Sequence, residues 1–243
     1  MDSTLPKKLL AEFIGSHFLV VAAISPTILG YNVLGASIPF TVFMDAIAVG
    51  FILFALIETL GPISGCHINP AVTLAFMAIR NTSVREGSLY IIAQLLGGFT
   101  GTISSHLMFY HIVPTFITVS TISRPAGCYY GEFLGTFALV LTVFLCVKNK
   151  PKFTGLAVGL LVGGFLITTS STMFANPDVT VARVFTYAIA GVSPFDASIF
   201  IGAEIIGALA ATLVAGVLLP LKGASQIGAD HSWLQPCAEV KNS

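Results

Sequence analysis

Three short sequence blocks occur twice in this chain, in the same order. In the first and second copies they are residues 11–15 and 131–135 (AEFIG and GEFLG), 69–73 and 176–180 (NPAVT and NPDVT), and 93–97 and 203–207 (AQLLG and AEIIG). A duplication of this kind indicates two structurally equivalent repeats within one chain. We therefore predict a first repeat over residues 1–115 and a second over residues 116–221.

Long apolar segments fill both repeats. Six of them approach the roughly 20 residues that a membrane-spanning helix needs. They cover approximately residues 9–29, 40–60, 87–110, 129–147, 154–173 and 197–219. Charged residues make up only 9% of the chain, whereas an ordinary soluble domain has about 25%. The missing polar surface predicts an all-α membrane protein that is surrounded by the lipid bilayer.

Two further apolar segments, residues 69–79 and 177–188, are too short to span a bilayer, and each opens with Asn-Pro. Asn at the cap and Pro at the first helical position strongly favour a helix start, so we predict two half-helices. Because each repeat has three spans, an odd number, the second repeat must run inverted relative to the first. The predicted fold is thus six transmembrane helices plus two re-entrant half-helices in an inverted 3+3 repeat.

The distribution of positive charge predicts the orientation in the membrane. Nine Lys and Arg residues fall on one side of a six-span topology, and only Arg124 and Arg183 fall on the other. Cytoplasmic loops carry the excess of positive charge, so both termini are expected in the cytoplasm, with the protein in the plasma membrane. The segment 222–243 lacks hydrophobic periodicity and is expected to be a disordered cytoplasmic tail.

Several classes of function are disfavoured by composition and spacing. The 11 basic and 11 acidic residues cancel, which argues against a nucleic-acid partner. No His, Asp or Glu spacing supplies a nucleophile–base pair, so neither a catalytic residue nor an enzymatic activity is expected. The four cysteines are scattered without the spacing of a metal site, and we expect no metal and no cofactor. They are Cys66, Cys128, Cys146 and Cys237.

The segment 64–73 (SGCHINPAVT) resembles the first signature of the major intrinsic protein family, which contains the aquaporins and glycerol facilitators. The segment 174–180 (FANPDVT) resembles the second signature, although the family usually has Ala at position 178 and Arg at position 179. The resemblance extends over residues 1–220 in order and spacing. The stretch 170–183 is also similar to a bacterial branch associated with arsenical handling.

This resemblance implies a passive membrane channel that conducts water, small uncharged solutes, or both. Glycerol-like polyols and neutral metalloid hydroxides such as arsenous acid are the expected solutes, and a homotetramer with one pore per subunit is the expected assembly. Two alternatives stay open. One is a water-selective aquaporin with an atypical filter. The other is an ion-coupled secondary transporter, because such transporters also use inverted repeats and broken helices.

The pore is expected where the two half-helices meet near the midplane. Their N-termini would place two positive dipole ends there, which repel cations. The Asn side chains could donate to a passing oxygen, and the carbonyls of 65–68 and 172–175 would form a row of acceptors. Asp178 replaces the usual Ala and is predicted to weaken the cation barrier or to be held neutral or paired. The predicted pore motifs are Asn69-Pro70-Ala71 and Asn176-Pro177-Asp178.

The resemblance also implies a selectivity filter, a ring formed by Val49, Gly164, Met173 and Val179. Water-specific members carry aromatic, His and Arg side chains at these positions, so this aliphatic and thioether ring is expected to be wider and more adaptable. Arg183 lies four residues after Val179 on the same helical face and is predicted to form a charged outer rim. Alternatively, it only extends to the membrane interface.

Two acids within predicted spans, Glu12 and Glu132, are costly to bury and are therefore functional candidates. They either couple protons or accept hydrogen bonds from the backbone of the loops and so support them. Gln94 and Glu204 occupy equivalent positions in the two repeats and are expected to support the same loops, with Glu204 as an alternative pore-lining residue. Asp45 is a candidate for a vestibule.

His67 and Cys66, just before the first Asn-Pro, are candidate pore-lining residues. His67 is interpreted either as a pH-sensitive group or as a fixed hydrogen-bonding partner. Cys66 is interpreted either as a thiol reachable from the pore or as a buried inert thiol. Small residues four apart, such as Gly97 and Gly101, are expected to let helices approach closely.

Overall fold

The computed structural model describes residues 4–219, and the predicted tail over 222–243 with Cys237 lies outside the described residues. Within this range the chain forms eight α-helices and no strand. They are α1 Leu5–Thr27, α2 Ile38–Ser64, α3 Pro70–Ala78, α4 Val84–Met108, α5 Ala126–Asn149, α6 Thr154–Thr168, α7 Pro177–Val184 and α8 Pro194–Leu218. The predicted fold class is confirmed: six long helices and two short ones follow one another in the predicted order.

The long helices agree with the predicted spans, apart from their ends. Five helical segments among the described residues are both long and apolar enough to cross a bilayer, so the chain is a multi-pass membrane protein. The first span is extended by a π-helical stretch, Ile28–Val33. The fifth is shorter than predicted, since α6 ends at Thr168 and not near residue 173. The residues after Thr168 leave the helix because they form the loop that precedes the second Asn-Pro.

Equivalent helices of the two repeats pack in equivalent ways. Helix α1 packs along α4, α5 packs along α8, and α2 packs against α6. A Cβ at Gly97 of α4 would overlap the Phe13 carbonyl of α1, and one at Gly207 of α8 would overlap the Phe133 carbonyl of α5. The small residues therefore permit close backbone contact, as predicted. The predicted repeat boundary at residue 115 falls in the connection between α4 and α5.

The two half-helices begin at their Asn-Pro motifs. The Asn69 side-chain oxygen accepts from Ala71 N at 2.8 Å, and the Asn176 side-chain oxygen accepts from Asp178 N at 3.0 Å. Both bonds satisfy backbone donors that a helix N-terminus otherwise leaves free. Each half-helix packs against the last long helix of the other repeat, α3 on α8 and α7 on α4, and the two half-helices also contact each other. This interlocking brings the two motifs together in the interior.

Candidate functional site: a conduit between two Asn-Pro loops

The backbone before each Asn-Pro follows the same unusual path in both repeats. Cys66 and Ile68 have φ of 48° and 38°, and their repeat equivalents Met173 and Ala175 have φ of 35° and 49°. Side chains with a Cβ rarely adopt this left-handed region, and each such residue costs about 1–3 kcal/mol. Neither loop would keep this conformation in isolation, so the surrounding structure must hold it in place.

In the first repeat a single carboxylate holds the loop. Glu12 is fully buried and accepts hydrogen bonds from the backbone N–H groups of His67 at 2.9 Å and Ile68 at 2.6 Å. It also accepts from Ser64 Oγ at 2.6 Å and from Gln94 Nε2 at 2.7 Å. Hydrogen bonds to a charged group contribute about 1.5–3 kcal/mol each, which is enough to offset the backbone strain.

In the second repeat two carboxylates share this task. Glu132 accepts from the backbone N–H groups of Phe174 at 2.9 Å and Ala175 at 2.6 Å. Glu204 accepts from Asn176 N at 3.2 Å. Both carboxylates are fully buried, and neither lines the cavity described below. This geometry favours loop support as the role of both acids. It disfavours proton coupling, and it disfavours a pore-lining position for Glu204.

The equivalent residues Gln94 and Glu204 also hold equivalent threonines. Gln94 Nε2 donates to Thr73 Oγ1 at 3.0 Å, and Thr180 Oγ1 donates to Glu204 at 2.6 Å. Each threonine lies one turn into its half-helix. These hydrogen bonds tie each half-helix to the last long helix of its own repeat, α3 to α4 and α7 to α8.

The two asparagines link the loops to each other. Asn69 Nδ2 donates to the Ala175 carbonyl at 2.8 Å, and Asn176 Nδ2 donates to the Ile68 carbonyl at 2.9 Å. Each amide nitrogen carries two hydrogens, so one N–H of each Asn stays available. Both asparagines line the cavity between the repeats. The remaining two N–H groups can therefore donate to an oxygen that passes through the centre.

A cavity runs past both loops. Its polar lining comes mainly from the loop residues 65–69 and 173–176, and its apolar wall comes from α1, α2, α5 and α6. Arg183 is the only lining residue among the described residues with a permanent charge. The cavity is therefore an apolar conduit with one polar stripe, which suits a small uncharged molecule carrying polar groups.

Three of the four residues predicted for the filter line this conduit. Val49 of α2, Met173 of the second loop and Val179 of α7 are all buried and contribute to its wall. They come from three different elements and face one passage. None of these side chains carries a hydrogen-bond donor, so this part of the conduit is lined by hydrocarbon and a thioether.

The placement of Gly164 in the ring is wrong. Gly164 lies on the exposed face of α6 with Leu160 and Ile167, and it is absent from the cavity wall. Val162 and Leu166 of the same helix line the conduit instead. An offset counted back from Asn176 crosses the non-helical segment 169–175, and an error of two residues turns a helical position by roughly 200°.

Arg183 is neither a solvated rim residue nor extended toward the interface. Its side chain is 1% exposed, and Nη2 donates to Asp45 Oδ2 at 3.0 Å and to the Ala23 carbonyl. The guanidinium carbon also lies 4.3 Å from the centre of the Phe174 ring. The interpretation that Arg183 reaches the membrane interface is therefore wrong. The structure instead pairs it with Asp45 at the wall of the conduit, which the sequence did not indicate.

A second arginine, Arg124, lies in the loop before α5 on the same side. Its Nη2 donates to the Gly191 carbonyl at 2.6 Å, and its guanidinium lies 5.5 Å from the Phe174 ring. Burial, together with the charge of Arg183, holds the pKa of Arg124 below its usual range. The positive charges of Arg124 and Arg183 thus repel each other at this end of the molecule.

His67 and Cys66, the two candidate pore-lining residues, lie in the cavity wall. The His67 ring stacks on Phe76 with 4.7 Å between centroids, and its Nδ1 lies 3.2 Å from Thr73 Oγ1. These contacts favour a fixed hydrogen-bonding role for His67. Cys66 Sγ lies 3.4 Å from the Leu56 carbonyl, which favours a thiol that is held in the wall.

Asp178 does not point into the conduit, although it belongs to the second motif. Its side chain is fully buried against Gly98 of α4 and close to Ser16 of α1, and it is absent from the cavity wall. Neither carboxyl oxygen has a hydrogen-bond partner among residues 4–219. Only the absence of a side chain at Gly98 makes room for the carboxyl group.

We expect Gly98→Ala to destabilise the protein by about 1–3 kcal/mol, because the new Cβ would overlap the Asp178 carboxyl group. Adding Asp178→Ala should restore the melting temperature, measured on detergent-solubilised protein. Gly202→Ala is the matched control, since a Cβ there meets no atom within 4 Å. Asp178→Ala alone should leave the cation leak of the channel unchanged, and an altered leak would show that this carboxyl group acts on the pore.

Comparison with known proteins identifies the family. The family model described as "Major intrinsic protein" matches residues 2–215. The chain belongs to the major intrinsic protein family. The resemblance carried by the two Asn-Pro signatures is thereby confirmed, and so is the prediction of a passive channel of the aquaporin type and not an enzyme.

Relatives of this major intrinsic protein include bacterial and archaeal channels. It is 35% identical over 207 residues to the aquaglyceroporin AqpS of Rhizobium meliloti, covering 85% of this chain and 88% of the relative. It is 33% identical over 212 residues to the aquaporin AqpM of Methanothermobacter thermautotrophicus, covering 75% of this chain and 82% of the relative. The X-ray structure of the Plasmodium falciparum aquaglyceroporin superposes with a TM-score of 0.68 at 20% identity, covering 90% and 98% of the two chains, which supports the same fold.

Proposed function

We propose that this channel conducts uncharged solutes larger than water, such as glycerol or neutral arsenous acid, together with water. The observation that carries the proposal is the composition of the conduit at Val49, Met173 and Val179. These residues offer a flexible apolar surface and no fixed donor. Such a wall can adapt to the carbon or metalloid core of a solute. The hydroxyl groups of the solute then face the polar loop residues opposite.

Ions should not pass through the same conduit. An ion that enters must lose its hydration shell, and the apolar wall supplies no replacement for it. The N-termini of α3 and α7 meet at the centre, where their positive dipole ends oppose cations further. A neutral solute that carries hydroxyl groups keeps its hydrogen bonds by exchanging water for the loop carbonyls and the free Asn N–H groups.

Stopped-flow light scattering on proteoliposomes tests this proposal. Vesicles that contain the purified protein are mixed with glycerol, arsenous acid or an impermeant osmolyte, without any ion gradient. We expect accelerated entry of both solutes and accelerated water flow. Water flow with exclusion of both solutes would favour the water-selective alternative. Solute entry only in the presence of an ion gradient would favour the transporter alternative.

We further propose that the protein resides in the plasma membrane with both termini in the cytoplasm. The excess of Lys and Arg on the side of the termini supports this orientation. Protease accessibility of tags at either end, in intact and permeabilised cells, tests it. Cleavage of either tag in intact cells would contradict this orientation.

A homotetramer with one conduit per subunit is the proposed assembly, as the family resemblance implies. Large apolar side chains cover the outside of the long helices and must contact either lipid or another subunit. Examples are Phe51, Leu160, Leu213 and Val217. We expect native mass spectrometry in mild detergent to detect a tetramer as the main species. A spectrum that contains only monomers would contradict this prediction.

A further inference from the structure

The pair formed by Asp45 and Arg183 joins α2 to α7, and of the two residues only Arg183 lines the conduit. Asp45 lies one helical turn before Val49 on α2, and Arg183 lies one turn after Val179 on α7. The two side chains are 5% and 1% exposed and are joined by a 3.0 Å ion pair. Arg183 therefore lines the conduit one helical turn beyond Val179, and Asp45 holds it there without lining the cavity itself.

One donor and one acceptor at this level are left open. Arg183 Nη2 is fixed by Asp45 Oδ2 and the Ala23 carbonyl, but Arg183 Nε has no hydrogen-bond partner within residues 4–219. Asp45 Oδ1 is likewise buried without a partner in this part of the chain. Buried polar atoms are normally paired, because leaving them open is costly. Both atoms are buried, and Asp45 is absent from the cavity wall, so only Arg183 of this pair can reach a solute.

We propose that Asp45 is a specificity-determining residue of this channel. Its carboxylate cancels the charge of Arg183 and holds the guanidinium against the Ala23 carbonyl and the Phe174 ring, out of the path of the solute. Arg183 is then the residue of the pair that faces the solute, because Asp45 does not line the cavity. This inference rests on the proposed function and adds a charge-balanced polar group next to an aliphatic wall.

Loss of the carboxylate should change the conduit through Arg183. A guanidinium without its counter-ion is no longer tied to the wall, and its long side chain can reach across the passage. Arg124, whose guanidinium also lies over the Phe174 ring, adds a second positive charge that repels it. The solute path should narrow, whereas a single water molecule can still pass. Asp45 is thus a positioning residue whose effect on the solute is exerted through Arg183.

The test compares the glycerol-to-water permeability ratio of purified channels in proteoliposomes. Because both permeabilities come from the same vesicles, the ratio does not depend on the fraction of folded protein. We expect Asp45→Asn to lower the ratio about fivefold or more. Asp45→Asn with Arg183→Gln, which restores a neutral pair with donors and acceptors, should return it to within about twofold of wild type. Glu86→Gln is the matched control, since it breaks the ion pair with Lys8 outside the conduit.

Two results would overturn the proposal: an unchanged ratio in Asp45→Asn, or a double variant as impaired as the single one. If Asp45→Asn does not yield a folded channel, Arg183→Ala is compared with Arg183→Ala plus Asp45→Asn. Without the guanidinium, Asp45→Asn should leave the ratio unchanged within about twofold, and a larger change would overturn the positioning role. A wild-type channel that excludes glycerol would instead contradict the proposed function.

Discussion

Replacing Glu12 with Gln is expected to disable the channel. Glu12 now accepts hydrogen bonds from the N–H groups of the loop and from the Gln94 amide. The NH2 group of a Gln side chain would face these donors with another donor. At least one charge-assisted hydrogen bond would be lost and the first loop would relax, at a cost of about 3 kcal/mol or more. We expect the melting temperature to fall by roughly 10 °C. Glycerol flux per channel, measured by stopped flow, should fall about tenfold or more, because the loop no longer shapes the conduit.

The same experiment separates loop support from proton coupling. Glu132→Gln should behave like Glu12→Gln, since Glu132 holds the second loop through Phe174 and Ala175. Glu86→Gln is the control, because its surface ion pair with Lys8 contributes at most about 1 kcal/mol. A Glu12→Gln protein with the stability and flux of wild type would contradict the proposed support of the loop. Loss of a proton-driven component alone would favour the transporter alternative.

Introducing Arg at position 179 is expected to convert the channel toward water selectivity. Val179 is buried in the conduit wall, one turn before Arg183, and Asp45 is already paired with Arg183. A second guanidinium would narrow the passage and add an uncompensated charge with fixed donors. We expect Val179→Arg to lower glycerol and arsenous acid permeability about tenfold or more and water permeability less than about threefold.

Val179→Leu is the control for the effect of a larger side chain without a charge. It enlarges the side chain without adding a charge or a donor, so we expect it to lower solute permeability by less than about threefold. Equal losses of water and solute flux in Val179→Arg would indicate a blocked conduit. Unchanged fluxes would show that Val179 does not lie at the narrowest point, and the proposed filter would have to be placed elsewhere along the wall.

The overall architecture could be predicted from the sequence because it rests on local patterns. The length of each apolar segment predicted the spans, and the cap residues Asn69 and Asn176 predicted where the half-helices begin. The repeated blocks predicted the inverted order of the helices. The contact between α3 and α7 follows from that order, since two inverted half-helices of similar length, nine and eight residues, meet near the middle.

The two loops show where sequence patterns stop being sufficient. Glu12 and Glu132 were recognised because a buried acid must have partners, but their partners are backbone groups, which carry no sequence signal. The left-handed conformation of Ile68 is unfavourable for a β-branched residue, so propensity alone would argue against it. This conformation is decided by hydrogen bonds to residues that are distant in the chain, such as the bond from Ile68 N to Glu12.

The sequence by itself determined the membrane environment, the duplication and the residues that begin each half-helix, because all of these are encoded in neighbouring residues. Only the tertiary structure decided which side chains face the conduit. It turned Gly164 outward and brought in Val162, since an offset counted back from Asn176 runs through the non-helical segment 169–175, whose path the sequence does not predict. It also joined Asp45 to Arg183, 138 residues away in the chain, because the fold brings α2 and α7 into contact beside the passage.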